Sequence, residues 1–174
     1  MEPVRTQSLA VRVVTTGSVD AAELADVAGR TFPLACPPST APEDIASFID
    51  TNLSAERFLE YLADPQRAIL MAERDGRIIG YAMLVRDASD DTVELSKIYV
   101  LPGYHGGAVS KALMDLTLAT AAQWGLRRVW LGVNQGNQRA QRFYAKSGFS
   151  INGTRTFQVG ARREDDYIMV RELD

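Results

Sequence analysis

The stretch best suited to chemistry lies at residues 93–111. A run with strand character, Val93-Glu-Leu-Ser-Lys-Ile-Tyr-Val-Leu101, leads into Pro102-Gly-Tyr-His-Gly-Gly-Ala-Val-Ser-Lys111, where helical periodicity begins. A glycine-rich loop feeding a helix N-terminus is an anion site, because unpaired N–H groups point outward and the macrodipole favours negative charge. A pyrophosphate fits such a loop, with Lys111 as an added point charge. The loop contains neither G-x-G-x-x-G nor G-x-x-x-x-G-K-[ST], so it is neither a Rossmann nor a P-loop phosphate site. Taken alone, the same glycines also suit a plain tight turn.

A second group follows at Asn137-Gln-Arg-Ala140-Gln-Arg-Phe143-Tyr144-Ala-Lys-Ser-Gly148-Phe149. A phenol with a pKa near ~10 stays protonated at neutral pH and can act as a general acid. Tyr144 is the candidate for that task, and packing beside Phe143 is the competing reading. Asn137, just before an apolar periodic segment, suits a helix cap. The chain has one cysteine, Cys36, and one histidine, His105. That excludes an internal disulfide, a thiolate metal cluster and any site built on two imidazoles, so no metal is expected. Cys36 reads as a small buried residue rather than a nucleophile.

Composition narrows the field. At 174 residues, 46% apolar and 24% charged, the chain is expected to form one globular domain over residues 1–174. A formal net charge of −3 argues against nucleic acid, which needs a basic face, and is compatible with a cationic substrate. No run of apolar residues is long enough to span a membrane, and the N-terminus lacks signal-peptide character. A cytoplasmic protein without membrane contact is the expectation.

The elements that must position these residues follow from periodicity, caps and turns. Val11–Thr16 reads as a strand. Asp20-Ala-Ala-Glu23 reads as a capping box before a helix with Leu24, Val27 and Ala28 on one face. Three prolines in Pro33–Ser39 predict a loop. Thr40-Ala-Pro-Glu43 reads as a second capping box, before a helix carrying Ile45, Phe48 and Ile49. Ser54 caps a third helix with the face Phe58, Leu59 and Leu62, stopped at Asp64-Pro65. Strands Ala68–Arg74 and Arg77–Arg86 flank the hairpin signal Asp75-Gly76. After a turn at Ala88–Asp91 comes the strand Val93–Leu101, on which Glu94 is expected to share a face with Ser96, Ile98 and Val100. A long helix then runs to Trp124 and ends at Gly125; the strand Arg128–Asn134 and the helix Asn137–Ser147 follow. Strands Phe149–Val159 and Tyr167–Leu173, joined by Gly160–Asp166, close the chain. The predicted class is an α/β sandwich with a mixed central sheet.

With its loop and its Asn137–Phe149 segment, the chain resembles the GNAT N-acetyltransferases. Their loop reads Q/R-x-x-G-x-G/A, and their later helix reads N-x-x-A-x-x-F/L-Y-x-x-x-G-F. The second pattern is matched at every specified position. The loop departs from the family, with His105, Ala108 and Ser110 where Gln or Arg and two glycines would stand. A methyl at 108 crowds a phosphate, yet the binding groups are backbone N–H, which any residue but proline supplies. The chain further resembles bacterial spermidine/spermine acetyltransferases of the PaiA kind. Thr31-Phe32, Trp130-Leu-Gly-Val133, Phe157-Gln-Val-Gly160 and Asp166-Tyr-Ile-Met169 carry that likeness.

The resemblance implies a GNAT-type sandwich whose mixed, mostly antiparallel central sheet is flanked by helices. It implies acetyl-CoA as cosubstrate and a small amine, such as a polyamine, as acceptor. It places the cosubstrate against Ile98, Tyr99, Val100, His105, Gly106, Gly107, Ala108, Val109, Ser110, Lys111, Asn137 and Lys146. The strand's backbone N–H groups would hold the thioester carbonyl. Tyr144 becomes the general acid. Glu94, eleven residues before His105, stands where the histone-acetylating relatives carry a base glutamate; a solvated strand-end charge is the alternative. The acceptor would be met by Phe32–Asp50, the Ala88–Asp91 turn and the Glu164–Asp166 turn, with Glu43, Asp44, Asp165 and Asp166 attracting positive charge. Many relatives pair as homodimers, but no patch in the sequence marks such a surface.

Overall fold

The computed structural model describes residues 9–87, 90–104, 108–159 and 162–173. The element order is β1 (Leu9–Val14), α1 (Ala21–Ala35), α2 (Pro42–Asn52), α3 (Ala55–Ala63), β2 (Arg67–Arg74), β3 (Arg77–Arg86), β4 (Thr92–Val100), α4 (Ala108–Gln123), β5 (Arg128–Asn134), α5 (Gln138–Lys146), β6 (Ser150–Val159) and β7 (Arg162–Glu172). The strands form one seven-stranded sheet in the order β1-β2-β3-β4-β5-β7-β6. Every neighbouring pair is antiparallel except β4 and β5, which run parallel across the α4 crossover. This is the mixed, mostly antiparallel sheet that the resemblance implies.

Helices cover both faces. Gly80 on β3 lies against α4, where an added Cβ would come 3.3 Å from Leu113. Its neighbour Tyr81 points the opposite way, with its ring 5.6 Å from that of Phe58 on α3. Alternation along a strand therefore divides the core between α4 on one side and the α1–α3 layer on the other. Leu24, Ala28, Phe58, Leu70, Tyr81, Leu84 and Leu113 are wholly buried in it. Among the described residues no helix is long and apolar enough to cross a membrane.

Local signals behaved as their chemistry requires at several joints. Asp75 and Gly76 both have positive φ, at 55° and 75°, the tight hairpin geometry that suits the right-handed twist of paired strands. Gly125 and Gly148 end α4 and α5 at φ 76° and 91°. Each is followed by a six-to-one bond, Leu126 N–H to Ala121 O and Phe149 N–H to Tyr144 O, which satisfies an orphan carbonyl.

Five expectations are corrected. The Pro33–Ser39 loop is shorter, because α1 continues through Pro33 to Ala35. The missing N–H of Pro33 falls in the last turn, and burial of Thr31 and stacking of Phe32 on Phe48 at 4.4 Å hold that turn on the core. The first capping box is half formed: the Asp20 carboxylate accepts from Ala22 and Glu23 N–H, but Glu23 accepts from Ile78 N–H at 2.7 Å and ties α1 to the β2–β3 hairpin. The second box does not form. Ala41 is the cap residue, and Thr40 turns inward with its hydroxyl lacking a partner among the described residues. On α3, capped by Ser54 as expected, the buried face is Phe58 and Tyr61, while Leu59 is exposed. Strand β7 also starts earlier, at Arg162, so Glu164–Asp166 is strand rather than turn.

Candidate active site

The site begins with a defect in β4. Met83 of β3 faces Lys97, and Leu84 faces Leu95, leaving Ser96 as an extra residue in the ladder. Such a bulge re-aims side chains and increases local twist. On the other side, β4 pairs with β5 only at Thr92–Arg128, Val93–Val129 and Glu94–Trp130. Beyond Glu94 the two strands diverge. Two clefts open beside the divergence, of about 230 and 240 Å³, and both are lined by Tyr99 and Ala35.

The first cleft is walled by Ile98, Tyr99 and Val100 of β4, by Ser110 in the first turn of α4, and by Asn137, Arg139, Phe143 and Tyr144 of the α5 segment. Thr31, Leu34 and Ala35 of α1 close it. Asn137 is the α5 cap, its Oδ1 accepting from Ala140 N–H at 3.1 Å. Tyr144 lies 5.6 Å from the Phe143 ring and 6.0 Å from the Phe149 ring. Burial, with Tyr99 adding to it, raises its phenol above the usual range, so the proton stays on oxygen. Burial likewise pushes Tyr99 up to about 12.

The remaining expected donor-side residues fall in different places. Val109 is buried in the core, and Ala108 is exposed, its methyl facing solvent at the start of α4. Lys111 is exposed and bonded to Asp115 at 2.8 Å. Lys146 lines a separate depression with Arg128 and Arg171, not this cleft. His105, Gly106 and Gly107 lie outside the described residues.

The second cleft is built from side chains. Glu94, Lys97 and Tyr99 of β4 line it together, so the expected alignment of Glu94 with Ile98 and Val100 is corrected. The Ser96 bulge is the reason: Glu94 pairs with Val85 and Lys97 with Met83, two residues apart on one face of β3. Across the cleft, Arg155 Nε donates to Asp166 Oδ2 at 3.3 Å, and the Arg155 guanidinium lies 5.6 Å over the Trp130 ring. Gly132 makes room for it, since a Cβ there would overlap the guanidinium. Asp166 is buried; desolvation raises its pKa and Arg155 opposes the rise. Asn134 Nδ2 donates to Glu164 at 3.3 Å. Asp166 is thus held by Arg155 rather than presented alone to an acceptor.

Three more groups complete this cleft. The Lys97 ammonium sits 5.9 Å from the Phe48 ring centre, and burial lowers its pKa while nearby Glu94 opposes the shift. Burial raises the Cys36 thiol, whose sulfur lies 3.4 Å from Phe32 O, which keeps it protonated and unreactive. Glu43, Asp44 and Asp165 do not line the cleft. Of the expected Ala88–Asp91 turn, Asp90 lines a different depression with Asp87, which Glu94 also borders, while Ala88 and Ser89 lie outside the described residues.

Comparison with known proteins shows the family. The model of the acetyltransferase (GNAT) family matches residues 30–149. The chain belongs to the GNAT family. An uncharacterized N-acetyltransferase of Mycobacterium tuberculosis is 71% identical over 154 residues, 88% of this chain and 98% of that protein. The mycothiol acetyltransferase of Streptomyces griseus is 32% identical over 87% of this chain, which spans 46% of that protein. The crystal structure of the PaiA N-acetyltransferase from Thermoplasma acidophilum, solved with coenzyme A, superposes with a TM-score of 0.80 at 24% identity, over 95% of this chain and 99% of that one. This GNAT chain is an N-acetyltransferase. Its clefts are also lined by Lys97, Gly132, Arg139 and Arg155, none of which sequence reasoning singles out. For Arg139 the available signal is its place two residues after the Asn137 cap; for the others the signal is spatial.

Proposed function

We propose that residues 1–174 act as one domain that transfers an acetyl group from acetyl-CoA directly to a primary amine, with no metal and no covalent enzyme intermediate. The observation that carries this reading is the meeting of the two clefts at Tyr99, beside a β4 edge that β5 has left. Acetyl-CoA supplies the acetyl group as a thioester. The first cleft fits it: residues 95–99 of β4 have no β5 partner, so an amide-bearing arm can take the place of a strand. The N–H groups of the Ile98–Val100 stretch are the candidates to hold the thioester oxygen, and preorganised donors of this kind stabilise the developing oxyanion. The first turn at Ala108–Ser110 offers N–H groups to the pyrophosphate, and His105, Gly106 and Gly107, outside the described residues, would add theirs. Lys111, an exposed residue paired with Asp115, adds little. Asn137 keeps its oxygen on the α5 cap and has its NH2 group for the arm.

Tyr144 would give its hydroxyl proton to the departing sulfur. Its raised pKa makes transfer to a solvated thiolate unfavourable, but the same desolvation acts on a thiolate formed in that cleft and narrows the gap. Glu94 would take the proton of the acceptor, which arrives as an ammonium with a pKa near ~10.4. Glu94 and Glu164 support a cationic acceptor, and the sequence likeness to the spermidine/spermine acetyltransferases supports a polyamine among such acceptors. Lys97 and Arg155 share the cleft and repel a molecule that is cationic along its whole length.

The test is a steady-state assay of CoA release across an amine panel, beside calorimetric titration with acetyl-CoA. Saturable binding with turnover is expected. Binding without turnover on any amine would replace the transfer reading with a CoA-binding module, and no binding at millimolar acetyl-CoA would leave only the fold.

A further inference from the structure

The second cleft holds two cations and three carboxylates, and their pairing is uneven. Arg155 and Asp166 are bonded to each other, and Glu164 accepts from Asn134. Lys97 forms no salt bridge among the described residues. Its ammonium rests near the Phe48 ring and feels Glu94 without bonding it. A half-buried ammonium that lacks a bonded counterion is costly, and partial burial lowers the Lys97 pKa in keeping with that cost. The Ser96 bulge is what brings it there: without the extra residue, Lys97 would point with Leu95 toward the α4 layer.

The spacing of the two β4 charges is informative. Glu94 and Lys97 oppose Val85 and Met83, which are two residues apart on β3. Neighbours on one strand face lie roughly 6.6 Å apart along the strand. A molecule reaching both side chains has its amine and an anion only a few bonds from each other.

We propose that the acceptor of this acetyltransferase carries a carboxylate a few bonds from its reacting amine, as an amino acid or a short peptide does, and that Lys97 binds that carboxylate while Glu94 faces the amine. This rests on the transfer reading above. Lys97 then gains the counterion that it lacks, and the charge-assisted bond fixes the amine relative to Tyr99, where the two clefts meet. A polyamine offers Lys97 only a second positive charge.

Matched acceptors decide it. CoA release is measured for 4-aminobutyrate against butylamine and putrescine, and for glycylglycine against its amide. The acid member should be preferred in kcat/KM by at least about tenfold, the scale of one charge-assisted hydrogen bond. Lys97→Gln should abolish that preference mainly through KM, and Lys97→Arg should keep part of it. Acetyl-CoA affinity of each variant, read by calorimetry, reports that it folds. A preference for the amide or the polyamine in the parent protein overturns the proposal, as does an acid-to-amide ratio that Lys97→Gln leaves unchanged. If no member of any pair is acetylated while acetyl-CoA binds, the transfer reading itself falls and this inference falls with it.

Discussion

The two clefts that meet at Tyr99 are built on opposite principles. The first is framed by a strand edge that has lost its neighbour and by the N-terminal turns of α4 and α5, with Leu34, Phe143 and Tyr144 filling the wall between them. The second is made of charged side chains from three strands, β4, β6 and β7, of which Arg155 and Asp166 hold each other and Glu164 is held by Asn134. A main-chain site tolerates side-chain replacement, because every residue but proline carries the same donor. A side-chain site is specific and fragile, because each group depends on the seat its neighbours provide. One cosubstrate and many possible acceptors suit that division.

The comparison can be broken or sharpened by substitution. The largest effect is expected at the junction. Tyr144→Phe should lower kcat by about 10²-fold, the usual worth of a positioned acid, with little change in acetyl-CoA KM; parent-like turnover in a steady-state assay would remove Tyr144 from the chemistry. Next comes the seat of Arg155. Gly132→Ala displaces the guanidinium and should cost about tenfold in kcat/KM for the acceptor through misplacement, with acetyl-CoA affinity unchanged. Equal losses on both sides would mean that the clefts are not independent. Behind the wall that the clefts share, Tyr81 is fully buried with its hydroxyl unpartnered among the described residues. Tyr81→Phe should stabilise the fold by about 1 kcal/mol in chemical denaturation, since it removes an unsatisfied group and keeps the ring. The smallest effect is expected on the main-chain side, where Ser110→Ala should weaken acetyl-CoA by no more than about threefold, near the worth of one neutral hydrogen bond. A tenfold loss there would give the first cleft a side-chain anchor after all.

What could be read from the sequence follows the same divide. Asp75-Gly76, the Asn137 cap and the Gly125 and Gly148 stops are local chemistry, and each took its expected form. At Pro33 and Thr40, burial of Thr31, Phe32 and Thr40 outweighs the local signal. Tyr144, Asn137 and Ile98–Val100 were legible through motif and element order, and they do line one cleft. The face of Glu94 was not legible, since a bulge leaves no trace in a two-residue period. Nor was the pairing of Arg155 with Asp166 over Gly132, which joins three strands whose register only the folded sheet sets.

The three residue pairs that join β4 to β5 have a consequence for folding as well. They divide the sheet into a four-stranded meander, β1 to β4, and a three-stranded unit of β5, β7 and β6. Each unit is closed by antiparallel neighbours, while the seam relies on a parallel pairing that must wait for the α4 crossover. Two cooperative units with a weak seam should open separately, so amide protons near Glu94 and Trp130 would exchange before those in the centre of either unit. A ligand that lies in the gap and bridges both strands would then act as a clamp, slowing exchange across the seam without touching the rest of the sheet.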